Sequence, residues 1–85
     1  MPPRPTNKEA ANVLADAGRA LYGEHWRQPL GEETGVNPET LRRFMSGRMT
    51  IPNGLLDHLL RLVRQRIDEL VKAAMRIEKL RGKEN

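Results

Sequence analysis

The chain has 85 residues, enough for one domain or for one domain with an extension. It contains no cysteine, no apolar run as long as a membrane span and no signal-peptide pattern, so we expect neither disulfides nor thiolate metal sites, and no membrane association. The formal net charge of +4 and the isoelectric point of about 10.1 favour an anionic partner.

The first predicted helix spans residues 7 to 22. Thr6 and Glu9 have the spacing of a capping box, in which each side chain accepts a hydrogen bond from the other residue's backbone. Apolar residues then recur at intervals of three and four, which indicates one apolar helix face. They are Ala10, Val13, Leu14, Ala17, Ala20 and Leu21. Gly23 is a suitable C-terminal cap, and Gly18 inside the helix indicates a close approach by another element.

The stretch from residue 30 to 44 predicts two short helices joined by a tight turn. Gly35 supplies the positive φ that a sharp corner requires. Asn37 is a preferred N-cap, and Pro38 suits the first helical position because no N–H is needed there. The apolar wedge between the helices would comprise Leu30, Val36, Leu41 and Phe44, and Gly31 is small where the backbones approach. This is a helix-turn-helix pattern.

The start of the first helix of this motif is a candidate phosphate site. Its free amides and its dipole favour anions, so we predict phosphate contacts by Arg27 and Gln28. Trp26, beside the helix start, is expected to anchor the core. Glu32 and Glu33 would repel DNA and are therefore expected to project away from it.

The second helix of the motif is expected to end near Ser46 with a polar outer face. On a 3.6-residue period Leu41 and Phe44 point inward. The outer side then carries Glu39, Arg42, Arg43 and Ser46, with Asn37, Pro38 and Thr40 near the helix start. Arginine reads guanine through O6 and N7, and glutamate accepts from cytosine N4. Glu39, Arg42 and Arg43 therefore suit a G·C-containing site, which leaves open which arginine meets a base.

Positive charge is concentrated on and after this helix. Between Arg42 and Arg66 there are six arginines and one acidic residue, Asp57, a local charge of +5, whereas the rest of the chain sums to about −1. A protein that recognises nucleic acid is expected to carry its positive charge on and beside its recognition helix. We predict phosphate binding by Thr40, Arg48 and Arg61 as well. The alternative is that the arginines are simply solvated on exposed helix faces.

A long C-terminal helix is predicted from about Pro52 to Leu80, about 42 Å at ~1.5 Å per residue. One set of its apolar residues alternates spacings of four and three. This is a heptad seam, which is typical of a helix that supercoils with a partner helix. The set is Leu56, Leu60, Val63, Ile67, Leu70, Ala74 and Ile77. Arg64–Asp68 and Asp68–Lys72 are i,i+4 pairs that would support the opposite, exposed face.

The seam predicts a homodimer. Leu55, Leu59 and Leu62 widen the apolar stripe where the helix would also pack on its own core. The part from Ile67 onward extends further than that core reaches, so its apolar face needs another chain. Two alternatives are a helix that folds back over its own domain and a basic amphipathic helix on an anionic membrane.

Three short runs together resemble the Cro and phage-repressor class, the xenobiotic-response-element family of bacterial and phage regulators. They are Leu30-Gly31, Thr34-Gly35-Val36 with Leu41 and Phe44, and Ser46-Gly47-Arg48. The resemblance spans about residues 11–62. It implies a bundle of four or five helices, usually dimeric, that places its third helix in the major groove of an inverted-repeat operator.

The family's DNA-reading positions fall on Asn37, Pro38, Glu39, Arg42, Arg43 and Ser46 of this chain. Two residues depart from the family's pattern. Gly31 stands where alanine is more usual, which is harmless. Pro38 replaces a polar residue that often contacts bases, and this shifts the readout to Glu39 and the arginines.

Catalysis finds little support in the sequence. His25 and His58 lie in different elements without metal-ligand spacing, and there is neither a Gly-rich phosphate loop nor a nucleophile elbow. We therefore expect no enzyme, no cofactor and no metal.

We expect an all-α fold, a compact helix-turn-helix bundle of about four helices with a long C-terminal amphipathic helix. Residues 1–5 would be a flexible arm, 6–54 the DNA-binding core, 55–80 the packing and dimerisation helix, and 81–85 a polar tail. The predicted function is sequence-specific binding of double-stranded DNA by a cytoplasmic, dimeric repressor or autoregulator that is nucleoid-associated when bound.

Two other functions stay open. The long helix would bind a different protein in an interaction module such as an antitoxin or a phage anti-host factor. An RNA-binding adaptor would use the same arginines, although the chain lacks the exposed aromatic residues that favour stacking on single strands.

Overall fold

The computed structural model describes residues 6–83, which form four α-helices and no strand. The helices are α1 (Asn7–Tyr22), α2 (Arg27–Thr34), α3 (Pro38–Met45) and α4 (Asn53–Lys83). The predicted all-α bundle with a long C-terminal helix is confirmed. The predicted arm, residues 1–5, and residues 84–85 of the predicted tail lie outside the described residues.

Helix α1 begins and ends where its sequence predicts. The Thr6 hydroxyl accepts from the Glu9 amide at 3.1 Å, and the Glu9 carboxylate accepts from the Thr6 amide at 3.2 Å. This capping box satisfies two backbone donors of the first turn. At the other end Gly23 has φ +84°, and its amide donates to the Arg19 carbonyl at 2.8 Å.

The core forms where α1, α2 and α3 meet the first half of α4. Its buried residues are Leu14, Ala15, Leu21, Trp26, Leu30, Leu41, Phe44, Ile51 and Leu59. Trp26 is 2% exposed and lies against Gly18, where an added Cβ would stand 2.3 Å from ring atom Cε3. The element that approaches Gly18 is therefore the indole ring. Val13 is 60% exposed and Ala20 is exposed as well, so these two residues of the predicted apolar face of α1 do not face the core.

The turn between α2 and α3 depends on two glycines. Gly35 has φ +76°, and its amide donates to the Gly31 carbonyl at 2.9 Å, which closes the last turn of α2. A Cβ at Gly31 would stand 2.9 Å from the Val36 carbonyl oxygen, so the backbones do approach at this point. Helix α3 then starts at Pro38, capped by the Asn37 side chain, which accepts from the Thr40 amide at 2.8 Å.

Helix α4 packs on the core with its first half only. Leu59 is buried, and Leu55, Leu56, Leu62 and Val63 are partly buried against the core. The Arg66 guanidinium donates to the Leu21 carbonyl at 3.1 Å, which links α4 to the last turn of α1. Every residue from 67 to 82 is exposed.

The second half of α4 projects away from the bundle. The described residues have a radius of gyration of 16.6 Å, whereas a compact chain of this size has about 12 Å. The alternative in which the helix folds back over its own domain is therefore wrong. Residues 81–83, assigned to the polar tail, are helical. No helix among residues 6–83 is both long enough and apolar enough to cross a bilayer.

The ion pairs predicted along α4 differ from those in the structure. Among residues 6–83 neither Arg64–Asp68 nor Asp68–Lys72 closes within 4.0 Å. The ion pair is formed instead by the Glu69 carboxylate, which lies 3.4 Å from the Arg66 guanidinium. Glu69 also accepts a hydrogen bond from the Gln65 side chain at 3.5 Å. The Arg66 guanidinium thus contacts both the Glu69 carboxylate and the Leu21 carbonyl.

Candidate nucleic-acid interface

The outer face of α3 carries the predicted base-reading residues. Leu41 and Phe44 are each 3% exposed and fix the rotation of the helix against α1 and α2. The side chains of Arg42 and Arg43 are 77% and 57% exposed, and that of Glu39 is 59% exposed. Two guanidiniums and one carboxylate therefore point into solvent from a helix whose opposite side is held in the core.

Glu39 holds both arginines in the free protein. Its carboxylate lies 3.3 Å from Nη1 of Arg42 and 3.8 Å from Nε of Arg43. The spacings i,i+3 and i,i+4 place all three side chains on one helix face. Exposed ion pairs contribute only about 0–1 kcal/mol each, so an incoming phosphate or base edge can replace them at small cost.

The two polar residues at the ends of α3 are partly committed to backbone groups. The Asn37 side-chain oxygen accepts from the Thr40 amide, which leaves the side-chain NH2 group as the donor for a ligand. The Ser46 hydroxyl donates to the Arg43 carbonyl at 3.0 Å, which leaves its oxygen as an acceptor. Pro38 is exposed and offers an apolar surface at the tip of the helix.

The start of α2 presents the predicted phosphate ligands. The Arg27 guanidinium carbon lies 5.6 Å from the centroid of the Trp26 ring, a cation–π distance that orients an exposed charge. Gln28 donates to the Glu32 carboxylate at 3.3 Å. The N-cap residue Trp26 accepts no hydrogen bond through its side chain, so the cap supplies no acceptor for the first amides of α2.

A groove of about 690 Å³ joins these two regions between α2 and α3. Val36, Leu41 and Met45 line it together with Pro38, and the two glycines of the turn leave it open. Its lining also includes four polar residues, Arg27, Gln28, Glu32 and Arg42. The groove thus brings together four of the candidates, Arg27 and Gln28 of α2 with Pro38 and Arg42 of α3.

One expectation about that surface was wrong. Glu32 lines the groove together with Arg42 instead of projecting away from it, and its carboxylate accepts from the Gln28 side chain. Its charge is therefore part of the surface that a nucleic acid would meet.

Arg48 is held close to α3. Its amide donates to the Arg43 carbonyl at 3.1 Å, and Asn7 fixes the loop by donating to the Gly47 carbonyl and accepting from Thr50, both at 3.2 Å. Arg61 is exposed on α4, which packs mainly against α1. Neither Arg48 nor Arg61 lines the groove, but Arg48 directly follows α3 in the chain, whereas Arg61 lies on a different helix.

The sequence assigned Arg66 only to the basic segment and missed its contact. Its guanidinium donates to the Leu21 carbonyl at the end of α1, where a helix dipole favours a cation. A signal was present in the spacing, because residue 66 follows Leu59 by seven and Leu62 by four. A residue at that position faces the core side of α4.

Within residues 6–83 no group of three or more His, Asp or Glu residues is arranged to hold a metal ion. Comparison of the chain with protein-family models, with curated proteins and with solved structures gives no match.

Proposed function

We propose that this protein is a sequence-specific, double-stranded DNA-binding transcriptional regulator of the Cro and phage-repressor type. It acts as a homodimeric repressor or autoregulator in the cytoplasm and is nucleoid-associated when bound. The observation that carries the proposal is that α3 has one side buried in the core and a charged side exposed to solvent. Leu41 and Phe44 lock one side into the core, and Arg42 and Arg43 project from the other side.

In this proposal α3 enters the major groove and its arginines read guanine. A bidentate arginine–guanine contact contributes about 1–3 kcal/mol of discrimination. When Arg42 or Arg43 turns to a base, Glu39 loses an ion-pair partner and becomes free to accept from cytosine N4. Glu39 also repels phosphates, which weakens binding to any duplex on which it gains no cytosine contact in return.

The α2 side supplies sequence-independent affinity. Arg27 stands over the Trp26 ring at the helix start, and Arg48 follows α3 in a loop held by Asn7. Each phosphate that such a residue neutralises releases counterions and steepens the salt dependence of log K by about 0.9. Binding should therefore weaken strongly as salt rises.

The exposed half of α4 supports the homodimer. Ile67, Leu70 and Ile77 are 52%, 62% and 65% exposed on the predicted seam. Such an apolar stripe on a projecting helix is typical of a protein–protein contact. The same stripe supports the second candidate, an interaction module whose partner is a different protein, and the oligomeric state separates the two.

The test is binding to a pool of random-sequence duplexes, measured by fluorescence anisotropy between about 50 and 200 mM salt. We expect Arg42→Ala and Arg43→Ala each to lower the affinity about threefold to tenfold, because each removes a positive charge and a base contact from α3. The matched control is Arg76→Ala on the projecting part of α4, which removes the same charge and should change the affinity less than about twofold. If all three variants behave alike, the proposal is wrong.

A further inference from the structure

We propose that the partner of α4 is a second copy of this chain in antiparallel orientation, with the twofold axis near residue 72. In this arrangement Arg64 of each copy pairs with Glu78 of the other. The inference rests on the proposed homodimer and names its geometry.

The core determines which side of α4 is free for a partner. Leu59, Leu62 and Arg66 face the core and α1, so that side of the helix is occupied. The exposed apolar residues lie on the neighbouring side and continue along the projecting half. They are Leu60, Ile67, Leu70, Val71, Met75 and Ile77, whereas the exposed Leu80 lies three heptads after Leu59, in line with the core-facing side. A partner helix therefore meets α4 mainly beyond the core.

When two copies of the helix run in opposite directions, the apolar residues of this side fall opposite one another. The spacings of four and three divide the seam residues into two alternating kinds of position. In an antiparallel helix pair, a position of one kind on one chain faces a position of the other kind on its partner. With the axis at residue 72, Ile67 faces Ile77 of the second copy and Leu70 faces Ala74. Symmetry repeats both contacts, which gives four apolar layers from residues that are all exposed in the single chain.

Charge favours the antiparallel orientation. Arg64 and Glu78 are seven residues before and after Val71, so all three flank the seam on the same side. Both charged side chains are exposed, and within residues 6–83 neither lies within 4.0 Å of an opposite charge. Antiparallel pairing brings Arg64 opposite Glu78 twice. Parallel in-register pairing would separate them and would instead set Arg81, the next seam residue, against its own copy.

The same register gives a separation suited to DNA. The core contacts α4 around Leu59, which is 13 residues from the proposed axis. The Leu59 residues of the two copies would then be about 39 Å apart along the helices, at ~1.5 Å per residue. Helix-turn-helix dimers place their half-sites about 34–36 Å apart. Antiparallel pairing therefore spaces the two cores by nearly one duplex turn.

A charge swap tests the orientation. We expect Arg64→Glu and Glu78→Arg each to raise the dimer dissociation constant, measured by sedimentation equilibrium, about tenfold, because each replaces two attractive pairs with two repulsive ones. The double variant should return to within about twofold of the parent. Arg76→Glu on the opposite side of the helix is the matched control and should leave the constant nearly unchanged. A double variant that sums the two single losses would overturn the proposal.

The absence of cysteine from the sequence allows a second test with single-cysteine variants and a short bifunctional thiol reagent. In the antiparallel register the two copies of Val71→Cys are about 3 Å apart along the helices and should cross-link, whereas those of Ile67→Cys are about 15 Å apart and should not. Efficient cross-linking of Ile67→Cys would indicate parallel pairing and overturn the orientation alone. A parent chain that stays monomeric at about 100 μM would overturn the homodimer itself. The Arg42 and Arg43 titrations would still decide DNA binding.

Discussion

Replacing Gly18 with alanine tests the packing of the only tryptophan in the sequence. Two opposing effects act at this position. Alanine in a helix interior is favoured over glycine by about 1 kcal/mol. Against this, the new Cβ would stand 2.3 Å from Cε3 and 2.6 Å from Cδ2 of Trp26, where ordinary contact begins at 3.4 Å.

The clash should outweigh the propensity gain. The indole ring is 2% exposed and must move by about 1 Å within a packed core, which typically costs about 1–3 kcal/mol. Because two ring atoms clash at once, we place the cost in the upper part of that range. The net loss of stability is then about 1–2 kcal/mol, which lowers the Tm of a domain of this size by about 5–15 °C.

Thermal unfolding followed by Trp26 fluorescence, at one fixed chain concentration, measures this directly. We expect a lower Tm and a red-shifted emission maximum, because the displaced ring gains contact with water. Gly54→Ala is the control, since nothing lies within 4 Å of its added Cβ, and it should keep or slightly raise the stability. If Gly18→Ala is as stable as the parent with unchanged emission, the packing described for Trp26 is wrong.

We expect Glu39→Gln to raise the affinity for random-sequence duplexes about threefold to tenfold in anisotropy titrations, because it removes a carboxylate that repels phosphates and holds two arginines. An unchanged affinity would contradict this role of Glu39. Asn37→Ala should lower the unfolding free energy in urea by about 1 kcal/mol, while Asn37→Asp, which keeps the cap, should not. Arg66→Gln should cost about 1–2 kcal/mol through its lost bond to α1, against less than about 0.5 kcal/mol for exposed Arg61→Gln. If Arg66→Gln and Arg61→Gln lower the unfolding free energy equally, the link between α4 and α1 is refuted.

The helix ends were predictable because their chemistry is local. Thr6 and Glu9 satisfy backbone amides at the start of α1, and Asn37 satisfies the Thr40 amide at the start of α3. Gly35 was predictable for the same reason, since a corner between two adjacent helices demands a positive φ wherever the rest of the chain lies.

Contacts between distant residues were not predictable from the same patterns. Asn7 bonds to Gly47, 40 residues away, and Arg66 bonds to Leu21, 45 residues away. Both depend on how the helices pack, and periodicity gives only the face of a helix and not the group that meets it. Val13 fits the spacing of the apolar face, yet no element covers that position.

The rotation of α3 was predictable, but the side-chain hydrogen bonds around it were not. The 3.6-residue period places Arg42 and Arg43 outside because Leu41 and Phe44 occupy the core. It does not show that the Ser46 hydroxyl donates to a backbone carbonyl. Nor does it show that Glu32 lines the groove, since that depends on how α2 and α3 pack against each other.

Selection from a library of random duplex DNA tests the central claim most directly. The account predicts an enriched inverted repeat with half-site centres about 10–10.5 base pairs, or a multiple of that, apart. It also predicts that Arg42→Ala or Arg43→Ala relaxes the preference at guanine positions. A library that yields no enriched motif, or the same motif with both variants, would contradict sequence-specific DNA reading by α3.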